Sequence, residues 1–492
     1  MSPNLPDPAF LQSLRALLGP AGVREPAEAA AYLVEPRGRL RGRAALVVRP
    51  ADVAQVAEVV RRCAAARVGI VPWAGGTGLV GGQVATDGPP PVVLSVERLN
   101  RIRRVSPEDE AMVVEAGVIL QDAQAAAEAA DRLFPLSLAS QGSARIGGLL
   151  ATNAGGVNVL RYGNARDLTL GVEAVLPDGS VMSGLRALRK DNAGYDLRHL
   201  LIGSEGTLGV ITAATLRLFA RPRHVATAFC AVASPAAAGA LLRRLRDAMG
   251  EAVSAFELIA GQGLDFLAAH HPETPRPPLI APWCALVEVG AGRPVEDALA
   301  DALADAMEAG EATDAAIAQN AAQAQAFWRV REDIPLANAR VGAVASHDVS
   351  VPLSAVAAFI AAADAAVAAV EPRLRINCFG HMGDGNLHYN LFPPEGAKAS
   401  DFAAVREAAI RAVHDTADRF GGSISAEHGV GRAKAAELLR YGDPGKLAAM
   451  RAIKAALDPA GIMNPGAVVS GAALSAAAWS GAEEATPPAP ST

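Results

Sequence analysis

Apolar positions along the chain alternate between helical spacing and short uninterrupted runs. Residues 8–18 (PAFLQSLRALL) read as a helix stopped by Gly19-Pro20. Residues 45–48 form a short apolar strand ended by Pro50. Asp52 is placed to cap the next helix, in which Val53, Val56, Val60 and Cys63 share one face. Gly69-Ile70-Val71 reads as the following strand. The result is a β-α-β unit that opens an α/β domain. Further strands are predicted at 91–96, 112–116 and 171–176, and Asp178-Gly179 predicts a tight turn before Val181-Met182. Strands and alanine-rich helices then alternate from about 226 to 370, and a helix at 433–440 with the stretch 462–466 closes the fold. The expected division is a helical segment over 1–41 and a first domain over 42–221, ending near Arg221-Pro222-Arg223. A second domain follows over 222–466, its last part returning to the first. The Ala/Ser/Pro/Thr tail over 467–492 is expected to be disordered.

Composition narrows the function class. The 492 residues allow two to four domains, and 51% hydrophobic residues suffice for large cores. The net charge is -6 and no long Lys/Arg run occurs, which argues against a nucleic-acid partner. The N-terminus MSPNLPDPAF has neither a basic nor an apolar region of the kind a secretory signal needs. The best apolar stretch, 357–370, is interrupted by Asp364 and reads as a core helix rather than a membrane span. The four cysteines, Cys63, Cys230, Cys284 and Cys378, are far apart. They fit buried reduced thiols in a cytoplasmic protein better than disulfides or a metal–sulfur site.

Three glycine clusters stand out. Residues 72–82 read PWAGGTGLVGG, in which Gly76, Gly78 and Gly81 match a dinucleotide-binding fingerprint. That fingerprint should open a helix, but residues 82–91 hold Gly88 and three consecutive prolines, so no helix can follow. Glu97 falls where the acidic half of the fingerprint would lie but carries little weight without the helix. What remains is a strand and a glycine-rich loop whose backbone N–H groups could cradle an anion. The second and third clusters cover 142–156 and 203–211. Three such loops in one α/β domain point to a long polar ligand wrapped by backbone.

These three segments resemble the FAD-binding domain of the vanillyl-alcohol oxidase / p-cresol methylhydroxylase superfamily. The resemblance implies an α+β fold: a two-subdomain p-cresol methylhydroxylase-type FAD-binding domain and a smaller, ferredoxin-like α+β substrate or cap domain. It implies that Gly75, Gly76, Thr77 and Gly78, flanked by Pro72 and Leu79, hold the FAD pyrophosphate. Gly142, Ser143, Gly147, Gly148, Thr152 and Asn153, then Gly206, Gly209 and Ile211, line the rest, with Asn464 joining from the C-terminal stretch. Some members attach the flavin through a His in the first loop. This loop has none, so FAD is expected to be held without a covalent bond.

Among nine histidines, three cluster in sequence with polar partners. Residues 381–388 read HMGDGNLH, and 426–429 read AEHG. Strands at 376–379 and 387–392 around a Gly-Asp-Gly-Asn turn would form a hairpin that brings His381 and His388 together. His388 and Asn390 would then face one side, with Leu387, Tyr389 and Leu391 on the other. Two imidazoles and a carboxylate, Glu427 being the obvious one, suit a divalent metal, while a polar hairpin without metal remains the plain alternative.

The two motifs resemble the substrate domain of the D-lactate / D-2-hydroxyglutarate dehydrogenase branch. The resemblance implies that His381, His388 and Glu427 bind a divalent metal, usually zinc in that branch, and that His428 is the general base. It matches Asn390 to a substrate-binding Asn and Arg331, in the stretch WRVRE, to the arginine that holds the substrate carboxylate. Related enzymes often carry a Lys at position 346, where it contacts the distal part of the substrate. Ser346 stands here, which leaves a second substrate carboxylate without an assured partner.

The expected reaction is oxidation of a small D-2-hydroxy acid to the 2-oxo acid, with hydride passing to flavin N5 and the proton to His428. Electrons must leave through an external quinone, cytochrome or electron-transfer flavoprotein. A homodimer is compatible with the resemblance. The rival readings are an oxygen-using, glycolate-type oxidase, a non-catalytic FAD-binding subunit, and a nicotinamide-dependent dehydrogenase, which the missing helix opposes.

Overall fold

The computed structural model describes residues 3–469. Three large sheets and a two-stranded pair, Arg132–Leu133 with Phe219–Ala220, organise the described residues. The first holds Val23–Arg24, Leu46–Val48, Val92–Ser95 and Ile70–Trp73, with the last three strands parallel. Helix Val53–Ala66 makes the crossover. Asp52 caps it by accepting the N–H of Gln55, and Val56, Ala57, Val59, Val60 and Cys63 are buried on the sheet. The stripe is wider than the predicted one, since Val59 and Ala57 join it. The N-terminal segment is not only helical. Its helix Pro8–Leu18 is followed by strand Val23–Arg24, which extends the first sheet.

The second sheet is antiparallel, in the order Ile102–Ser106, Ala111–Glu115, Val210–Arg217, Thr169–Val175, Val181–Ser183. No helix follows the first glycine loop, as the prolines dictate. Glu97 pairs with Arg49 and accepts the Tyr32 hydroxyl at 3.0 Å, so it is used within the protein.

The chain passes to the third sheet between Ala220 and His224. This domain, expected to be the smaller, carries the largest sheet. Its seven antiparallel strands run Asp314–Ile317, His224–Val232, Trp283–Ala291, Val253–Ala260, Arg375–Gly380, Asn386–Phe392, Ala345–Ser350. Strand side chains alternate between two apolar layers. Ala228 and Cys230 pack under helices Pro235–Met249, Glu296–Glu308 and Val356–Val370, whereas Phe229 packs under Gly261–His270, Ala321–Glu332 and Ile334–Val341. The stretch Leu353–Val370 has the length and hydropathy of a membrane span. Here Phe359, Ile360, Ala363 and Val367 are buried, and Asp364 accepts the hydroxyl of core Tyr389 at 2.5 Å. One face of the helix thus packs into the core of this domain.

The C-terminal stretch returns to the first sheet, where Met463 bridges Ile70. Buried Lys454 fixes this return by donating to the carbonyls of Thr207 and Met463 and to Asp458. Ala467 and Val468 are also buried, and Val468 N–H donates to Gly431 O at 2.8 Å, so packed chain extends past residue 466. The rest of the expected tail, from residue 470, lies outside the described residues.

Candidate active site

A cleft is lined by the ends of the first and second sheets and the loops that leave them. Pro72, Gly75, Gly76, Thr77 and Gly78 line one wall, Gly147, Gly148 and Thr152 another, and Gly206, Gly209 and Ile211 a third. Gln83 ties down the first loop by donating to the carbonyls of Gly76 and Gly78. Among the described residues, the N–H groups of Gly75, Gly76, Thr77 and Gly78 make no hydrogen bond within the protein. Unused donors in a row at a cavity wall suit a pyrophosphate. Gly75 must be glycine for close approach: a Cβ there would sit 2.5 Å from the Ser143 carbonyl oxygen.

Five residues expected at the cofactor do not line the cleft. Leu79 falls between two lining residues, Gly78 and Val80, without lining the cleft itself. Gly142 and Ser143 are exposed, and Ser143 contributes only the carbonyl that Gly75 packs against. Asn153, at φ 52°, accepts the N–H of Arg166 and fastens its loop. Asn464 donates to the carbonyls of Gly82 and Glu205 and accepts from Arg432, so its amide stitches the loops behind the cleft. The Asn464 amide is thus used on both atoms inside the protein, and Asn153 uses its Oδ1.

The predicted histidine hairpin forms. Strands Arg375–Gly380 and Asn386–Phe392 pair with Phe379 opposite His388, joined by the turn Met382–Asp384 and Gly385 at φ 84°. Leu387, Tyr389 and Leu391 are buried in the core, which turns His388 and Asn390 to the other face. There the Nε2 atoms of His381, His388 and His428 lie 3.9, 3.7 and 3.8 Å from Glu427 Oε1. The ligand atoms of His381, His388 and Glu427 all fall within 4.8 Å of one another, as a single cation would require. The His388 and His428 rings are nearly parallel, with centroids 6.0 Å apart.

The electrostatics favour a cation at this point. Burial disfavours charge on His381, but Glu257 at Nδ1 and Glu427 near Nε2 raise its pKa to about 9. Burial and the neighbouring His381 push His388 the other way, well below its usual value. His388 is thus held neutral with a lone pair free to ligate, and Glu257 and Glu427 supply the negative charge that would balance a cation beside His381. Asp348, Glu427 and His428 also approach one another. Asp348, however, already accepts from Asn386 Nδ2 and from the N–H groups of Glu427 and His428. The first trio is the better metal site.

Three carboxylates at the site were not singled out by the sequence. Glu257 accepts from His381 Nδ1 at 2.6 Å and from Arg331 Nε at 2.5 Å. Asp348 holds the loop of Glu427 and His428. Burial would raise its pKa, but His428, Lys434 and His388 hold it well below the carboxylate range. Glu205 lines the cleft and accepts the N–H groups of Val430 and Gly431, with burial pushing its own pKa up. Glu205 therefore joins the cleft wall to the histidine loop two residues beyond His428. A Cβ on Gly155 would sit 3.2 Å from Glu427 Oε2, so the second glycine loop also touches the cluster. Arg331, buried beside them, lies over the Phe379 ring at 4.7 Å, and Phe379 in turn packs on His388. Asn390 stands opposite Ser346 across the paired strands.

A flavin cleft joined to a buried metal-type cluster defines a class of flavoprotein, and comparison with known proteins places the chain within it. Residues 44–184 match the family model described as FAD binding domain, and 221–468 match FAD linked oxidases, C-terminal domain. The chain belongs to the FAD-linked oxidase family of the vanillyl-alcohol oxidase / p-cresol methylhydroxylase superfamily, in its D-2-hydroxy-acid dehydrogenase branch, and is an FAD-dependent oxidoreductase. It is 37% identical over 94% of its length to a D-2-hydroxyglutarate dehydrogenase of Xanthomonas citri pv. viticola, covering 96% of that protein. It is 34% identical over 94% of its length to one of Stutzerimonas stutzeri, covering 99%, and 34% identical over 87% to a mitochondrial one of Arabidopsis thaliana, covering 75%. Its fold is similar to that of a p-cresol methylhydroxylase solved with substrate bound, at a TM-score of 0.75 and 17% identity, covering 94% of this chain and 96% of that one.

Proposed function

We propose that the protein oxidises a D-2-hydroxy acid to the 2-oxo acid and passes the electrons to an external acceptor. The observation that carries the reading is the convergence of His381, His388, Glu427 and His428 beside the flavin cleft, bound to its wall through Glu205. His381, His388 and Glu427 would hold a divalent ion, zinc by their chemistry, and when bound the ion would acidify the substrate hydroxyl while FAD accepts the hydride. Arg331 binds the substrate carboxylate with its terminal N–H groups, and among the described residues only its Nε donates to protein. Asn390 orients the acid from the same face. Neutral His428 takes the hydroxyl proton at Nε2, since its Nδ1 side faces Asp348 at 3.4 Å.

D-2-hydroxyglutarate is the leading substrate because the relatives carry that name across most of their length. D-lactate is the second reading, favoured by Ser346, which offers no charge to a second carboxylate beside Asn390. The test is anaerobic flavin bleaching with D- and L-2-hydroxyglutarate, lactate and malate, with and without a chelator. Bleaching by a D-acid that the chelator stops is the expected result. Bleaching by none, or equal bleaching after metal removal, would refute the reading. Fast reoxidation by air would make the protein an oxidase instead.

A further inference from the structure

Glu257 has no step in the chemistry above, yet it sits at the centre of the site. It stands on strand Val253–Ala260, every residue of which is buried, and none of its own surface is exposed. A carboxylate sealed from water is costly unless both oxygens are paired. Here Oε1 accepts from His381 Nδ1 at 2.6 Å and Oε2 from Arg331 Nε at 2.5 Å. Burial alone would push the carboxyl up, but Arg331 and His381 reverse this and hold it at about 2. The bond to His381 leaves only Nε2 of that ring for other use. The bond to Arg331 leaves the terminal N–H groups, on a guanidinium already set flat by Phe379.

We infer that Glu257 is a positioning residue that ties a metal-binding histidine to the carboxylate-binding arginine. This rests on the proposed function and deepens it. One carboxylate, whose two oxygens have a fixed separation, sets the spacing between the point that receives the hydroxyl and the point that receives the carboxylate. Such a spacer suits acids whose hydroxyl and carboxylate stand on adjacent carbons and disfavours 3-hydroxy acids. A carboxylate behind a metal-bound imidazole also raises the basicity of the ligand nitrogen.

The experiment is calorimetric titration of the metal-free flavoprotein with zinc, in the wild type, Glu257→Gln and Glu257→Asp. Glutamine keeps the shape but can accept from only one of the two partners. Zinc affinity is expected to fall by about 10- to 100-fold in Glu257→Gln. Oxalate, read by its perturbation of the flavin spectrum, should bind more weakly in parallel. A purely structural role would lower the melting temperature and leave zinc affinity of the folded variant alone. Unchanged zinc affinity in Glu257→Gln overturns the inference. Where that variant does not fold, Glu257→Asp, which keeps the charge on a shorter arm, should show a loss in the same direction, and no loss overturns it. A wild-type chain that binds no zinc fails the proposed function itself, a result distinct from a wild type that binds and a variant that binds equally.

Discussion

His428 Nδ1 lies 3.4 Å from Asp348 Oδ2, the same oxygen that accepts the main-chain N–H groups of Glu427 and His428. One carboxylate thus fixes both the path of the loop and the direction of the imidazole. The arrangement follows from strand Ala345–Ser350, which pairs Asp348 with His388 in register and so places it behind the cluster.

The proposed role of His428 as proton acceptor is therefore testable without disturbing the cofactor. His428→Asn should purify yellow, with FAD at wild-type stoichiometry. Its rate of flavin reduction by substrate should fall about 100- to 10,000-fold in stopped-flow measurement. Reduction at a near-normal rate would remove His428 from the chemistry.

Gly75→Ala tests the cradle. The new methyl would meet backbone, the Ser143 carbonyl, at 2.5 Å, and neither partner can rotate away. The first two glycine loops must separate, at a cost of about 1–3 kcal/mol. The purified variant should carry less FAD per chain and melt earlier. Full FAD occupancy would mean that the loop does not touch the pyrophosphate.

Acid sensitivity should trace in part to His347. Its ring is buried, with Nδ1 donating to Tyr389 O and His414 at 5.3 Å. Burial, aided by His414, lowers its pKa to about 3. The folded value lies below the unfolded one of about 6.5, so unfolding takes up a proton between these limits. Stability is full above pH 6.5 and falls as pH drops toward 3, with a slope of about 1.4 kcal/mol per pH unit for one proton. His347→Gln should flatten the acid limb of a denaturation-against-pH curve in that window. An identical limb would assign the sensitivity elsewhere.

The histidine hairpin was legible because its signals are local: a Gly-Asp-Gly-Asn turn between strands whose alternation sends His388 and Asn390 to one face. Helix Val53–Ala66 was legible from Asp52 and the spacing of its valines for the same reason. The second carboxylate layer was not. Glu257 lies 124 positions from His381, and pairing over such a distance leaves no periodic trace. A sign was present all the same, since a lone Glu amid the apolar run VSAFELIA must find partners when buried. Asp348, in ASHDVS, and Glu205, in GSEGT, stand in polar surroundings and carried no such sign. Asn153 and Asn464 were expected at the cofactor from the resemblance. Their hydrogen bonds, Asn153 Oδ1 accepting from Arg166 N–H and Asn464 linking Gly82, Glu205 and Arg432, fasten the loops around the cleft.

The bridge between Met463 and Ile70, with Lys454 anchored on Thr207, ties the last stretch of chain to the first sheet. A ribosome completes both glycine-loop sheets and then the entire seven-stranded domain before it releases the segment that locks the first sheet. A stop codon ahead of residue 454 should therefore yield colourless protein, read by its flavin absorbance, even though every cleft-lining residue has been made.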